Sequence, residues 1–197
     1  MSKGEITRQR IIELAAPLFN QRGFAGCSMQ DIMEATGLKK GGLYRHFTGK
    51  EELAAEAFRY SLGQAVKIRI DALDPSQGAV ERLCEVIAQF VEKPSPVPGG
   101  CPILNTAIDA DDGNPVLRDL AREGLKNWRT RIAQIVREGI LRNEIRKDVD
   151  PRAVANTIIA ALEGALMISR LEGSRGALHD ARASLKELVA NLGPSRS

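Results

Sequence analysis

Residues Thr36–Leu53 read TGLKKGGLYRHFTGKEEL. Both ends look helical, yet Gly41 and Gly42 stand where a helix should run. Glycine costs roughly 1 kcal/mol against alanine inside a helix. Around the pair lie Lys39, Lys40, Tyr44, Arg45 and His46. Leu43 and Phe47 are one helical turn apart and give the segment a short apolar side. A helix that is weak in its backbone, apolar on one side and rich in donors on the other is suited to lie against a partner. Missing side chains near its start let the backbone come close to a phosphate or a base edge.

Upstream, Ile11, Leu14, Ala15, Leu18 and Phe19 form one helical stripe, and Gly23 is expected to stop that helix in the left-handed conformation. Ser28 opens the next helix, because SMQD places Asp31 where a capping box needs it. Met29, Ile32 and Met33 form its buried side, and Gly37 ends it. Two short helices separated by Gly37 have helix-turn-helix dimensions, at about 28–47. In that motif the second helix enters the major groove, about 12 Å wide.

Charge distribution agrees. The whole chain of 197 residues carries only +3. Residues 1–50 carry +4 and the remainder −1, so the excess sits in the head and points to a polyanion partner.

After a turn at Thr48-Gly49, a helix is predicted from Lys50 to Leu73. Asp74-Pro75 is expected to start the fifth, ending at Lys93 before PSPVPGG. A short helix follows from Pro102 to about Ala110. Asn114-Pro115 caps a long one to about Asn143, Asp150-Pro151 an eighth to Leu171, and the ninth runs roughly Ala177 to Leu192. No strand-like alternation persists. The fold class is therefore all-α, with about nine helices: an N-terminal helix-turn-helix bundle and a larger C-terminal helical bundle. The domains are expected at 1–50, for DNA binding, and 51–197, with helix 50–73 as connector.

Cys27, Cys84 and Cys101 are odd in number and far apart, and His46 and His179 are the only histidines. That excludes a disulfide framework and zinc-ligand spacing, so no metal or cofactor is expected. The N-terminus lacks signal-peptide form, and TIIAALEGALMI is interrupted by Glu163, so no membrane partner is expected and the cytoplasm is the simplest location.

The block GFAGCSMQDIMEATGLKKGGLYRHFTGKEEL, Gly23–Leu53, resembles the TetR-like transcriptional regulators. It has Gly-aromatic after the first helix, Ser before an Ile-containing second helix, Lys-Gly, Leu-Tyr-x-His-Phe and Lys-Glu-Glu-Leu. The likeness spans residues 5 to about 60. Farther on, GGCPILNTAIDADDGNPVLR and LEGALMISRLEG look like one branch of the family.

The resemblance implies a DNA-contacting set. Ser28 would bond a phosphate. Lys40, Gly41 and Gly42 would face the groove floor or its near wall. Tyr44 and His46 would contact phosphates, Tyr44 also a thymine methyl, and Lys50 would grip another phosphate. Lys39 stands where the family often has a capping hydroxyl, and Gly42 where it often has Ser or Thr, which shifts base reading towards Lys40 and Arg45.

The resemblance also implies a homodimer on a double-stranded DNA operator, released by a small-molecule effector not identifiable from sequence. Ile158, Leu162, Ala165, Leu166 and Ser169 on the eighth helix, with Leu178, Ala181, Leu185, Leu188 and Leu192 on the ninth, are the expected dimer interface; an intramolecular core has the same periodicity. Phe90, Cys101, Leu104, Asn105, Ile108, Trp128 and Leu162 are the expected effector pocket. An alternative is electrophile or oxidant sensing by Cys101, at a helix start after a Pro/Gly loop. An enzyme is disfavoured, since Cys101 and His179 sit in no catalytic signature. A helical adaptor would leave the basic block unexplained.

Overall fold

The computed structural model describes residues 2–69, 73–110 and 113–194. Among them are nine α-helices and no strand: α1 (Lys3–Gly26), α2 (Met29–Thr36), α3 (Lys40–Tyr44), α4 (Lys50–Arg69), α5 (Ala79–Glu92), α6 (Pro102–Asp109), α7 (Pro115–Leu141), α8 (Pro151–Glu172) and α9 (Gly176–Ala190). The chain forms two compact units. One comprises the residues up to Val66 with Ser95–Gly124, the other Lys67–Pro94 with the residues from Leu125 onward.

In the first unit, Ile11, Ile12 and Ala15 of α1 pack with Ile32 of α2, Leu43 of α3, and Phe47 and Leu53. The five-residue α3 cannot sustain itself, since isolated helices shorter than about 12 residues are marginal in water. Burial of Leu43 and Phe47 holds it instead. Ala54 and Ala55 of α4 meet Ala110 and Leu117 farther along the same unit.

The local signals explain most helix ends. Ser28 and Asp31 form the reciprocal capping box, and Gly37 takes the left-handed conformation (φ 69°, ψ 14°). Asn114 Oδ1 accepts from the Leu117 N–H at 2.9 Å, and Asp150 Oδ1 from the Arg152 N–H at 2.8 Å. Gly23 does break α1, but at φ 74° and ψ 176°, not in the left-handed helical well that was expected. The start of α5 also differs. Asp74 Oδ1 accepts from the Ser76 N–H and hydroxyl at 2.8 and 2.7 Å, closing a local turn, and α5 begins only after Gly78. A side chain bonded two residues ahead competes with helix initiation there. The expected end of α4 at Leu73 runs through residues outside the described set.

In the second unit, Leu83 and Ile87 of α5, Ile132 and Val136 of α7, Ile158 and Leu162 of α8, and Leu185 and Val189 of α9 share one core. Most of the residues expected at a dimer interface lie in this core. Ile158, Leu162, Ala165, Ser169, Leu178, Leu185 and Leu192 are buried within the single chain, and Leu166, Ala181 and Leu188 pack on the same core. Leu166, Ala181 and Leu188 are only partly buried there. By length and composition α8 is also long and apolar enough to cross a membrane, Glu163 notwithstanding.

Candidate nucleic-acid interface

Lys39 precedes α3 in extended conformation and makes no side-chain cap, as expected where a cation replaces a hydroxyl. The Gly42 N–H donates to Lys39 O at 2.8 Å, so the helix starts as a tight turn. Neither Gly41 nor Gly42 has a positive φ. A Cβ at Gly41 would meet nothing within 4 Å, and one at Gly42 only the Leu38 side chain at 3.6 Å. The protein's own packing therefore requires glycine at neither position.

Leu43 and Phe47 turn inward, while Lys39, Lys40, Gly41, Tyr44 and Arg45 are exposed. The Lys40 Nζ lies 5.9 Å from the Tyr44 ring centre, and His46 is half-buried. At the start of α4, the Lys50 Nζ sits 4.3 Å from the Phe24 ring centre. Lys39, Lys40, Arg45 and Lys50 form no ion pair among the described residues. Two other cations of the head behave differently. Arg8 reaches Glu52 and Glu56 at 3.4 and 3.6 Å, and Arg22 reaches Asp31 at 2.8 Å. The structure thus separates Arg8 and Arg22, which hold the head together, from Lys39, Lys40 and Arg45, which are exposed.

Ser28 is exposed, but its donors are occupied. Its hydroxyl and its N–H both donate to Asp31 Oδ2, at 2.5 and 2.7 Å. Those bonds, with Arg22 alongside, hold the Asp31 carboxyl below the usual carboxylate range. To donate to a phosphate the hydroxyl must first leave Asp31. A second acid–hydroxyl pair orders the turn before α4. The Thr48 N–H and hydroxyl donate to Glu52 Oε2 at 2.7 and 2.8 Å, and these bonds, with Arg8, hold the Glu52 carboxyl low.

The expected effector residues fall in both units. Cys101, Leu104, Asn105 and Ile108 are in the first unit; Phe90, Trp128 and Leu162 are in the second. Phe90 stacks on Trp128 with ring centres 5.7 Å apart, and the Arg69 guanidinium lies 4.5 Å from the Phe90 ring centre. Leu162 is buried in the core of the second unit, and Ile108 faces solvent at 70% exposure. Cys101 is 4% exposed. Asn105 is tied to α1, where its Nδ2 donates to Asn20 O at 2.9 Å and to Gly99 O at 2.8 Å. With Asn20, Phe58, Thr106 and Leu117 it also borders a small, partly open cavity of about 30 Å³. Sequence reasoning missed Asn20, Arg22 and Asp109 as partners, because each acts on a residue remote in sequence or across a kink.

A basic, glycine-bearing short helix on a helix-turn-helix, in an all-helical chain, defines a DNA-binding regulator. The family model described as bacterial regulatory proteins, tetR family, matches residues 11–57, and that of the tetracyclin repressor-like C-terminal domain matches residues 78–185. The chain belongs to the TetR family of transcriptional regulators. It is similar to a TetR transcriptional regulator from Chloroflexus aurantiacus, 42% identical, with 96% of this chain and 97% of that one covered and a TM-score of 0.91. A TetR-family regulator from Cytophaga hutchinsonii is 36% identical, with 100% and 99% covered and a TM-score of 0.92. The HTH-type transcriptional repressor DhaR of Mycobacterium sp. (strain GP1) is 28% identical over 170 residues, 85% of this chain and 84% of that protein.

Proposed function

We propose that the chain is a repressor that binds a palindromic operator as a homodimer and is released by a small-molecule effector. Residues 1–50 read DNA, and 51–197 bind effector and dimerise, with the helix from Lys50 as connector. It acts in the cytoplasm and catalyses no reaction. One observation carries this reading: Lys39, Lys40 and Arg45 stand exposed, without acidic partners among the described residues, on and beside a helix whose glycines the protein itself does not need. Charges left unpaired beside a backbone left bare suit a polyanion that approaches closely.

Tyr44, 45% exposed, adds a ring and a hydroxyl beside these cations. Lys50 adds positive charge at the start of α4, and His46 a further donor. Repression rather than activation is supported by relatives that are repressors, such as DhaR and KstR2 of Mycobacterium tuberculosis.

The dimer face is proposed on the outer side of α8. Met167, Ile168 and Leu171 are 49%, 41% and 81% exposed, and the exposed Ala160 and half-buried Gly164 continue the stripe. Large apolar side chains clustered in the open on a helix mark an association surface, and a two-fold operator pairs with a two-fold protein. The Cys101 thiol is buried, which favours a non-covalent effector over electrophile sensing at that sulfur.

Selection of bound fragments from the source genome tests the proposal. Recovered sites should share two inverted half-sites about one helical turn apart or a multiple of it. Recovery of unrelated fragments without inverted symmetry overturns it.

A further inference from the structure

In an unbroken α-helix the N–H of Phe24 would donate to the carbonyl of Asn20. The positive φ of Gly23 opens α1 between them. Both orphaned groups are taken up by α6. The Phe24 N–H donates to Asp109 Oδ2 at 2.5 Å, and Asn105 Nδ2 donates to Asn20 O at 2.9 Å. Asn105 and Asp109 are four residues apart, hence stacked on one face of α6. They supply one acceptor and one donor to the very pair that the kink separates.

Other contacts point the same way. Asn105 also donates to Asn20 Oδ1 at 3.1 Å, and Asn20 Nδ2 donates to Pro98 O at 2.9 Å and Gly100 O at 3.2 Å, fastening the loop that leads into α6. A Cβ at Gly23 would collide with the Asp109 carboxylate. Asp109 is the last residue of α6, where a negative side chain opposes the helix dipole, so its own helix gives no reason for it.

Beyond the kink, Phe24 carries the Lys50 ammonium on its ring, and Arg22 reaches across it to Asp31 in the cap of α2. We propose that α6 is a splint across the kink of α1, and that Asn105 and Asp109 are positioning residues for DNA reading. With the splint in place, α2 and Lys50 are held in one presentation. When α6 withdraws, the Phe24 N–H and the Asn20 carbonyl lose their partners, and the chain between α1 and α2 is released without any change to a DNA-contacting residue. The consequence for DNA rests on the repressor reading above; the splint rests on geometry alone.

The test is made on the full chain with Asp109→Ala, Asp109→Asn and Asn105→Ala, using backbone amide NMR together with binding to a selected operator. Asp109→Ala should speed exchange of the Phe24 amide about tenfold and shift resonances of Ser28–Thr36 and Lys50. Operator affinity should fall about tenfold while the salt dependence keeps its slope, because no phosphate contact is removed. Asp109→Asn retains an acceptor and should recover most of the affinity. Wild-type exchange, wild-type α2 resonances and wild-type affinity in Asp109→Ala would overturn the proposal. Should Asp109→Ala not fold, Asn105→Ala decides: weakened binding with an unchanged salt slope supports the splint, and wild-type binding and resonances overturn it. Were the wild-type chain to select no operator, the repressor reading would fall alone, and the Phe24 and α2 resonances of the variants would still decide the splint.

Discussion

The Ser28 hydroxyl donates to Asp31 Oδ2 at 2.5 Å while the Asp31 N–H donates back to Ser28 Oγ at 3.1 Å. The cap of α2 is thus closed in both directions, and the Ser28 proton is in use before DNA arrives. Ser28→Ala should cost about 1 kcal/mol of stability, the usual loss of a helix cap. Denaturant unfolding measures it. Because the proton is occupied, the loss of operator affinity should be small beside that of Lys40→Ala. A larger loss would show that Ser28 turns from Asp31 to a phosphate.

Asp31 gives the account a pH dependence. Its folded carboxyl titrates below the usual range, chiefly through the bonds from Ser28. A depressed carboxylate contributes stability that is full above its unfolded value, about 3.9, and is lost as pH falls through the folded value. Carboxyl-carbon NMR titration should place Asp31 below an ordinary aspartate, and Ser28→Ala should move it upward. An ordinary value in the wild-type chain would show that the cap does not persist in solution.

The two sides of α8 should respond differently. Leu162→Ala opens the core of the second unit and should destabilise the fold by about 2–5 kcal/mol. Leu171→Arg touches no core, so thermal unfolding of each protomer should change little. Sedimentation should instead show monomers, with operator affinity falling at least about tenfold. A Leu171→Arg chain that remains dimeric places the interface elsewhere.

Gly42 separates the protein's needs from its partner's. A Cβ there meets only Leu38, at an ordinary distance. Gly42→Ser should therefore leave stability unchanged or raise it by up to about 0.5 kcal/mol. Operator preference should change, because the added side chain occupies space left for close approach. Fragment selection with both proteins makes the comparison; identical preferences would mean that position 42 does not face the bases.

The parts of this structure readable in the sequence are those whose causes are local. The caps at Ser28, Asn114 and Asp150 and the stop at Gly37 each rest on residues within a turn of one another. Asp74-Pro75 failed as a helix start because Ser76, two residues on, offered Asp74 a competing turn. The α8 and α9 stripes were visible as periodicity, but periodicity does not say whether the facing surface belongs to the same chain. Asn105 looked like a polar residue waiting for a ligand; its acceptor on Asn20 lies 85 positions away and no pattern announces it. The basic face of α3 was legible because its residues are adjacent in sequence, and its cations form no ion pair among the described residues.

Salt-dependent binding of the selected operator by the wild-type chain, Lys40→Ala and Tyr44→Ala tests the central claim most directly. The wild type should show a steep linear fall of log affinity with log salt. Both variants should bind more weakly, and Lys40→Ala should also relax the preference among operator sequences. Salt-insensitive binding by the wild type, or an affinity unchanged in Lys40→Ala and Tyr44→Ala, would contradict DNA reading by α3.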